Sequence, residues 1–157
     1  MGKEIERKFV VDRAVWVSQD AGIHFKQGYL NSQKERVVRV RIEGSVAKLT
    51  IKGVTTGVTR SEFEYGIPVE DAAILLDQLC EQPLIDKHRH KEVHSGKTWE
   101  IDVFHGPNEG LVVAEIELGS EDEKFELPAW VVDEVSSDPR YYNSNLLKNP
   151  FCNWQNA

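Results

Sequence analysis

The chain has 157 residues, a length typical of one domain, and we expect residues 1–157 to form a single domain. Its 19 Lys and Arg and 26 Asp and Glu residues give a net charge of −7, which argues against general binding of nucleic acids or anionic membranes. Apolar runs such as 73–76 and 129–132 are too short to cross a bilayer. The sequence starts without the apolar stretch of a signal peptide, and two cysteines imply no disulfide framework. We therefore expect a cytoplasmic protein.

Most of the chain is predicted to form β-strands. Alternating apolar and polar residues predict eight of them, at 4–11, 25–31, 35–43, 46–53, 57–67, 84–94, 98–105 and 110–119. Helical spacing of apolar residues predicts a helix over 69–80, and Pro128 is well placed to begin a second helix reaching about residue 135. A short helix is expected over 143–147. Eight strands with few helices predict a mainly β (α+β) fold, an eight-stranded antiparallel β-barrel with helices packed outside.

Charged residues share one face of seven of these strands, because alternate side chains of a strand point the same way. The charges on that face are mostly sorted by sign. Acidic residues are grouped on three strands: Glu62 and Glu64; Glu100 and Asp102; and Glu115 and Glu117. Basic residues are grouped on three others: Arg39 and Arg41; Lys48 and Lys52; and Lys87, Arg89 and Lys91. The first strand is mixed and carries Glu4, Glu6 and Lys8. On an ordinary exposed sheet, opposite charges would pair across neighbouring strands. The sorting instead indicates a site for a ligand.

The apolar face of such a barrel has to be covered, and the predicted helices are available to cover it. The charged face then lines the interior, which would be costly if it were closed and dry, so we expect a hydrated tunnel. Clustered carboxylates bind Mg²⁺ or Mn²⁺, and clustered Arg and Lys residues bind phosphate oxygens. The pattern predicts a tunnel that binds a metal–polyphosphate complex. For any single strand, a solvent-exposed outer face remains the alternative.

The segment Glu4-Ile5-Glu6-Arg7-Lys8 resembles the E-x-E-x-K signature of the CYTH superfamily, the triphosphate tunnel metalloenzymes. The resemblance continues in family order through 38–41, Lys52, 62–64, Lys87, Arg89, 99–102 and 114–117. It implies an eight-stranded barrel forming a tunnel. The short chain is similar to bacterial inorganic tripolyphosphatases, which implies metal-dependent hydrolysis of tripolyphosphate to pyrophosphate and phosphate. The alternatives are a class IV adenylyl cyclase, a thiamine or nucleoside triphosphatase, and a non-catalytic polyphosphate-binding module.

Roles for individual residues follow from this resemblance. It implies Mg²⁺ or Mn²⁺ held by Glu4, Glu6, Glu115 and Glu117, with Asp102 and Glu62 or Glu64 at a second position. It implies phosphate binding by Lys8, Arg39, Arg41, Lys52, Lys87 and Arg89, and by Arg140 on a segment that could close one tunnel end. Lys87 and Tyr29 match a Lys–Tyr pair that activates water, although the metal could do so instead. The expected partner is a small triphosphate, and a homodimer is left open.

For several of these residues a structural role or exposure to solvent is an alternative to a role in the site. Tyr29 could be a structural aromatic of the barrel wall, and Glu62 and Glu64 could be structural partners of the arginines. Lys48 and Lys91 could face solvent near the strand ends. His88 and His90 resemble a zinc motif, but they lie on the face opposite Lys87 and Arg89, so we do not expect zinc there.

Overall fold

The computed structural model describes residues 2–156, and its main feature is a closed antiparallel barrel. The eight barrel strands are β1 (Lys3–Val11), β2 (Ile23–Asn31), β3 (Val37–Glu43), β4 (Val46–Lys52), β5 (Thr59–Ile67), β6 (Ile85–His94), β7 (Lys97–Phe104) and β8 (Val112–Glu117). Their order around the barrel is β1-β5-β4-β3-β2-β6-β7-β8, which returns to β1. The predicted eight-stranded barrel is confirmed.

Strand β1 closes the barrel because its two ends have different partners. Lys3, Glu4 and Ile5 pair with the start of β5, whereas the stretch from Glu6 to Val10 pairs with β8. The second pairing places Glu6 opposite Glu117 and Lys8 opposite Glu115. Closure therefore brings charged residues from the two ends of the sequence side by side.

The prediction of a helix over residues 128–135 is wrong. Residues Val131–Glu134 form a ninth strand, β9, which pairs with the second half of β1 on the side opposite β8. Beyond the short pairing with β5, this side of β1 would otherwise leave its backbone groups without partners. The backbone of Val135 donates to the carbonyl of Lys8 at 2.8 Å, and that of Asp12 donates to the carbonyl of Trp130 at 2.8 Å. The open edge of β1 thus outweighs the local helix signal.

The predicted helix over 69–80 is present outside the barrel. It consists of α1 (Val69–Ile74), which continues directly into a π-helical turn (Leu75–Leu79). Its buried Ala72 and Leu76 pack against Val40 of β3 and Ala47 of β4. This helix covers the apolar outer face of those strands, as predicted.

The remaining short elements lie at the barrel ends. A 3₁₀ turn (Gly106–Asn108) connects β7 to β8, and the chain ends in a 3₁₀ turn (Pro139–Tyr141), the predicted short helix α2 (Asn143–Leu146) and a further 3₁₀ turn (Phe151–Asn156). Residues 136–154, which we call the C-terminal segment, pack Leu146 and Leu147 against Ile85 and Phe104. No helix among residues 2–156 is long and apolar enough to span a membrane.

Candidate active site

A cavity of about 260 Å³ lies inside the barrel, on the face where the strands carry their charges. Its walls contain nine Lys or Arg side chains and eight Glu side chains. Thirteen of the fifteen predicted site residues border it, and Asp102 and Arg140 do not. The thirteen are Glu4, Glu6, Lys8, Tyr29, Arg39, Arg41, Lys52, Glu62, Glu64, Lys87, Arg89, Glu115 and Glu117. The structure thus brings together residues that lie up to 113 positions apart in the sequence.

Lys87 is the most deeply buried cation of this site. Its Nζ donates hydrogen bonds to Asp102 Oδ2 at 2.8 Å and to Asn143 Oδ1 at 3.0 Å. The pKa of Lys87 is lowered to about 7, and burial is the main cause. The negative charge of Asp102 raises this pKa, whereas the positive charges of Arg89 and Arg41 add to the lowering. Near neutral pH, part of the Lys87 population is therefore an uncharged amine that can accept a proton.

Asp102 does not border the cavity and lies fully buried behind its wall. Arg89 donates Nε to Asp102 Oδ1 at 2.7 Å and Nη2 to Asp102 Oδ2 at 2.9 Å. Burial by itself would raise the pKa of Asp102, but Arg89 and Lys87 outweigh it and lower this pKa to about 2. Both carboxylate oxygens are thus bonded to the two cations, which Asp102 holds in place.

The two arginines of β3 are buried in the cavity wall, separated from β6 by the single strand β2. Arg41 donates Nε to Gln27 Oε1 at 2.7 Å, and burial, followed by repulsion from Arg39 and Arg89, lowers the pKa of Arg41 to about 10. Arg39 donates Nη2 to Thr50 Oγ1 at 3.2 Å, but its buried Nε has no hydrogen-bond partner among residues 2–156. A buried donor without a partner costs about 1–3 kcal/mol, which a phosphate oxygen bound in the cavity would relieve.

Carboxylates crowd the part of the cavity next to the β1–β8 and β1–β5 pairs. Burial, followed by the charges of Glu115 and Glu4, raises the pKa of Glu6 well above its ordinary value. Burial also raises the pKa of Glu62 and that of Glu117. Burial is the main cause of these shifts and repulsion between neighbouring carboxylates adds to it, and a divalent cation, which prefers oxygen ligands, would favour the charged form of these groups. The donor set therefore fits a hard divalent metal.

Two of the acidic residues keep low pKa values because cations lie next to them. Burial would raise the pKa of Glu115, but Lys8, Arg89 and Lys87 together lower it well below its ordinary value. Lys52 Nζ lies 3.1 Å from Glu4 Oε1 and, against burial, lowers the pKa of Glu4. Within residues 2–156, no three Asp, Glu, His or Cys side chains are already close enough together to hold a metal ion.

Arg140 is the second predicted residue that does not border the cavity. Its exposed guanidinium donates to Asp138 on the same turn, with Nη2 at 2.8 Å from Oδ2. The C-terminal segment does reach the cavity, but through Ser136, Tyr142, Asn143 and Ser144. Lys8 Nζ also donates to the backbone carbonyl of Tyr141 at 3.0 Å.

Several cavity residues were not singled out from the sequence. Arg60 shares the inward face of β5 with Glu62 and Glu64, so the period-two pattern could have found it. Lys48 was placed on the charged strand face, with solvent exposure as the alternative, but it was given no role in the site. It borders the cavity, and its Nζ forms an ion pair with Glu43 Oε2 at 3.2 Å. Asn143, the first residue of α2, and the buried Gln27 carry no charge, and no local pattern marks them.

Comparison with known proteins gives consistent results. A family model described as the CYTH domain matches residues 2–143. An inorganic triphosphatase of Acetivibrio thermocellus is 50% identical over 155 residues, which cover 99% of both chains. An inorganic triphosphatase of Nitrosomonas europaea is 33% identical over 150 residues, covering 91% of this chain and 95% of the relative. A crystal structure of an inorganic triphosphatase matches with a TM-score of 0.66 and 31% identity, covering 92% of this chain and 93% of that one.

Proposed function

Because this chain belongs to the CYTH domain family, we propose that it is a divalent-metal-dependent triphosphatase that hydrolyses inorganic tripolyphosphate to pyrophosphate and phosphate. One observation carries the proposal: nine cationic and eight carboxylate side chains converge on a single cavity inside the barrel. Two relatives that match nearly the whole chain are inorganic triphosphatases, which supports this substrate. The proposed metal is Mg²⁺ or Mn²⁺.

The cations of the cavity walls bind the substrate phosphates. We assign this role to Lys8, Arg39, Arg41, Lys52, Lys87 and Arg89. Arginine binds phosphate through two parallel N–H groups, and the buried Nε of Arg39 has no hydrogen-bond partner in the described part of the chain. These side chains are held in position by ion pairs before substrate arrives, so little reorganisation is needed when charge develops on the transferred phosphoryl group. Arg140 is exposed, and its predicted phosphate contact would require it to leave Asp138.

Glu4, Glu6, Glu115 and Glu117 would hold the metal, with Glu62 or Glu64 and Asp102 at a second position. When bound, the metal supplies positive charge that neutralises phosphate oxygens. The raised pKa values of Glu6, Glu62 and Glu117 support this assignment, because burial and neighbouring carboxylates destabilise their charged forms and a bound cation would stabilise them. For Asp102, the assignment requires one carboxylate oxygen to leave Arg89 or Lys87.

In the proposed reaction, water attacks a terminal phosphorus in line with the bridging oxygen. The new P–O bond forms as the bridging P–O bond breaks, and pyrophosphate leaves with the electron pair of that bond. The water proton passes to the Lys87 amine of the Lys87–Tyr29 pair, which becomes an ammonium, while the Tyr29 hydroxyl orients the water through a hydrogen bond. Lys87 can take it because its pKa of about 7 leaves a fraction of neutral amine at physiological pH.

The test is phosphate release from tripolyphosphate, ATP, thiamine triphosphate and pyrophosphate, with Mg²⁺ or Mn²⁺, and with cyclic AMP measured in parallel. We expect preferred turnover of tripolyphosphate and loss of activity in EDTA. Cyclic AMP formation, or equal turnover of the organic triphosphates, would contradict the proposed substrate. Full activity in EDTA would contradict the metal requirement, and no turnover of any compound would indicate a binding module.

A further inference from the structure

Gln27 is an uncharged side chain completely buried among the charged groups of the site. It lies in the middle of β2, on the same face as Phe25 and Tyr29, which border the cavity. Its amide makes three hydrogen bonds. Oε1 accepts from Arg41 Nε at 2.7 Å, and Nε2 donates to Tyr29 Oη at 3.2 Å and to Asn143 Oδ1 at 3.2 Å. Gln27 thus connects a phosphate-binding arginine with the proposed Tyr29–Lys87 pair.

The orientation of this amide is determined by its neighbours. A guanidinium N–H can only donate, so the Gln27 atom that faces Arg41 has to be the carbonyl oxygen. The NH₂ group must then face Tyr29 and Asn143. Asn143 is oriented independently, because its Oδ1 also accepts from Lys87 Nζ at 3.0 Å. Arg41, which can only donate, therefore excludes the flipped Gln27 amide, and the contact of Lys87 Nζ with Asn143 Oδ1 agrees with this orientation.

This orientation determines the direction of the Tyr29 hydroxyl. Its oxygen accepts a hydrogen from Gln27, so its own proton has to point away from Gln27. Tyr29 borders the cavity, where water and phosphate oxygens can accept that proton. If the Gln27 group were an acceptor instead, it would bind the Tyr29 proton and turn it away from the reacting groups.

We infer that Gln27 is a positioning residue for the hydrolysis: it directs the Tyr29 O–H into the cavity and, through Asn143, aligns the Lys87 amine. The inference rests on the proposed function, in which Tyr29 and Lys87 act on the attacking water. Gln27 itself acts only through these two side chains.

Gln27→Glu reverses the polarity of the contact with Tyr29 at nearly unchanged size. One carboxylate oxygen still accepts from Arg41, so phosphate binding is retained, but the other accepts the Tyr29 proton and repels Asn143 Oδ1. We expect kcat for tripolyphosphate to fall by about tenfold or more, since a positioned acid–base group typically contributes 10²–10⁴-fold. KM should stay within about threefold. The metal and tripolyphosphate should still raise the melting temperature of the variant.

A double-mutant cycle with Tyr29→Phe separates positioning from a general structural defect. Without the phenol oxygen, Gln27→Glu has no hydroxyl to turn and can act only through Asn143 and Lys87, so its loss of kcat should be clearly smaller in the Tyr29→Phe background than in the wild type. An equal loss of kcat in both backgrounds would overturn the inference, as would wild-type kcat in Gln27→Glu or in Tyr29→Phe.

The same cycle with Gln27→Met, which adds no buried charge, serves if the carboxylate variant does not fold. A wild-type protein without turnover would overturn the proposed function and this inference together, whereas an active wild type with an unaffected Gln27→Glu overturns the inference alone.

Discussion

At the scale of single residues, burial and neighbouring charge give chemically similar side chains different properties. Glu6 and Glu115 are both cavity carboxylates, yet the pKa of Glu6 is raised and that of Glu115 is lowered. Burial acts on both, but only Glu115 has three cations close enough to outweigh it. The same balance leaves Lys87 as a lysine that can lose its proton near pH 7.

The first prediction concerns the pH dependence of catalysis. Because the pKa of Lys87 is lowered to about 7, the neutral amine becomes the major form above that pH, and kcat/KM should rise with pH through this region. Lys87→Arg keeps a positive charge but cannot release a proton, so kcat should fall about 10²-fold or more. The measurement is the pH profile of tripolyphosphate hydrolysis.

Lys91→Arg is the matched control for this variant. Lys91 lies on the same strand and face, but its side chain is 63% exposed. Its substitution should leave both kcat and the pH profile close to those of the wild type. A Lys87→Arg variant with wild-type turnover would remove Lys87 from the role of proton acceptor.

The second prediction concerns the stability contributed by Asp102. Asp102→Asn leaves the buried Lys87 and Arg89 without their shared counter-charge, and we expect the free energy of unfolding to fall by about 3–5 kcal/mol. The pKa of Asp102 is lowered to about 2, so its stabilisation is present above its ordinary pKa and is lost as pH falls toward 2. Urea unfolding at pH 7 and at lower pH measures both effects.

Glu100→Gln provides the comparison, since Glu100 is on the same strand and face with a side chain that is 31% exposed. Its ion pair with Arg89 is longer, at 3.4 Å, and exposed to solvent, so its loss should cost less than about 1 kcal/mol. Equal losses in the two variants would show that burial of Asp102 has no special effect.

At the scale of secondary-structure elements, local patterns predicted the strands well and failed at β9. The period-two alternation is a property of neighbouring residues, and the eight barrel strands agree with their predicted ranges to within about two residues at each end. Residues 131–134 carry a signal that fits either a helix or a strand. Only the open edge of β1, more than 100 positions away in the sequence, decides between them.

The third prediction concerns the C-terminal segment as an element. Leu146 of α2 is fully buried against Ile85 and Phe104, and Leu146→Ala should lower the free energy of unfolding by about 2–5 kcal/mol. Asn143 lies on the same short helix and contacts Lys87, so kcat should fall as well. Leu127→Ala, at a side chain 57% exposed, is the control and should change neither quantity. An intact kcat in Leu146→Ala would show that Lys87 does not depend on the docked segment.

At the scale of the whole molecule, an acidic protein carries a cavity suited to a polyanion. The net charge of −7 belongs to the entire chain, whereas the cavity walls gather nine of its 19 basic residues. Metal binding would further offset the cavity carboxylates. Global charge therefore describes solubility and non-specific partners better than it describes this site. That residues 1–157 form one domain stays a prediction.

The fourth prediction uses the stability of the intact protein as a readout of binding. Tripolyphosphate with Mg²⁺ binds only the folded barrel, so it should raise the melting temperature, with a stabilisation of about 2.7 kcal/mol at 100 times the dissociation constant. Arg39→Ala should keep the fold and lose most of this shift. Tripolyphosphate in EDTA should give a smaller shift than the metal complex. An unchanged melting temperature at millimolar ligand would contradict the cavity as the binding site.

Residue order alone was enough to predict the strands, their two faces and the sorting of charges onto one of them, because all three depend on residues close together in the chain. From these, and from the family resemblance, thirteen of the fifteen predicted site residues were placed at the cavity wall. Only the tertiary structure decided that Asp102 lies behind the wall between two cations and that Arg140 lies outside the cavity. It also joined Gln27 to Asn143, 116 residues away, because hydrogen bonds between uncharged side chains of distant segments leave no periodic signal in the sequence.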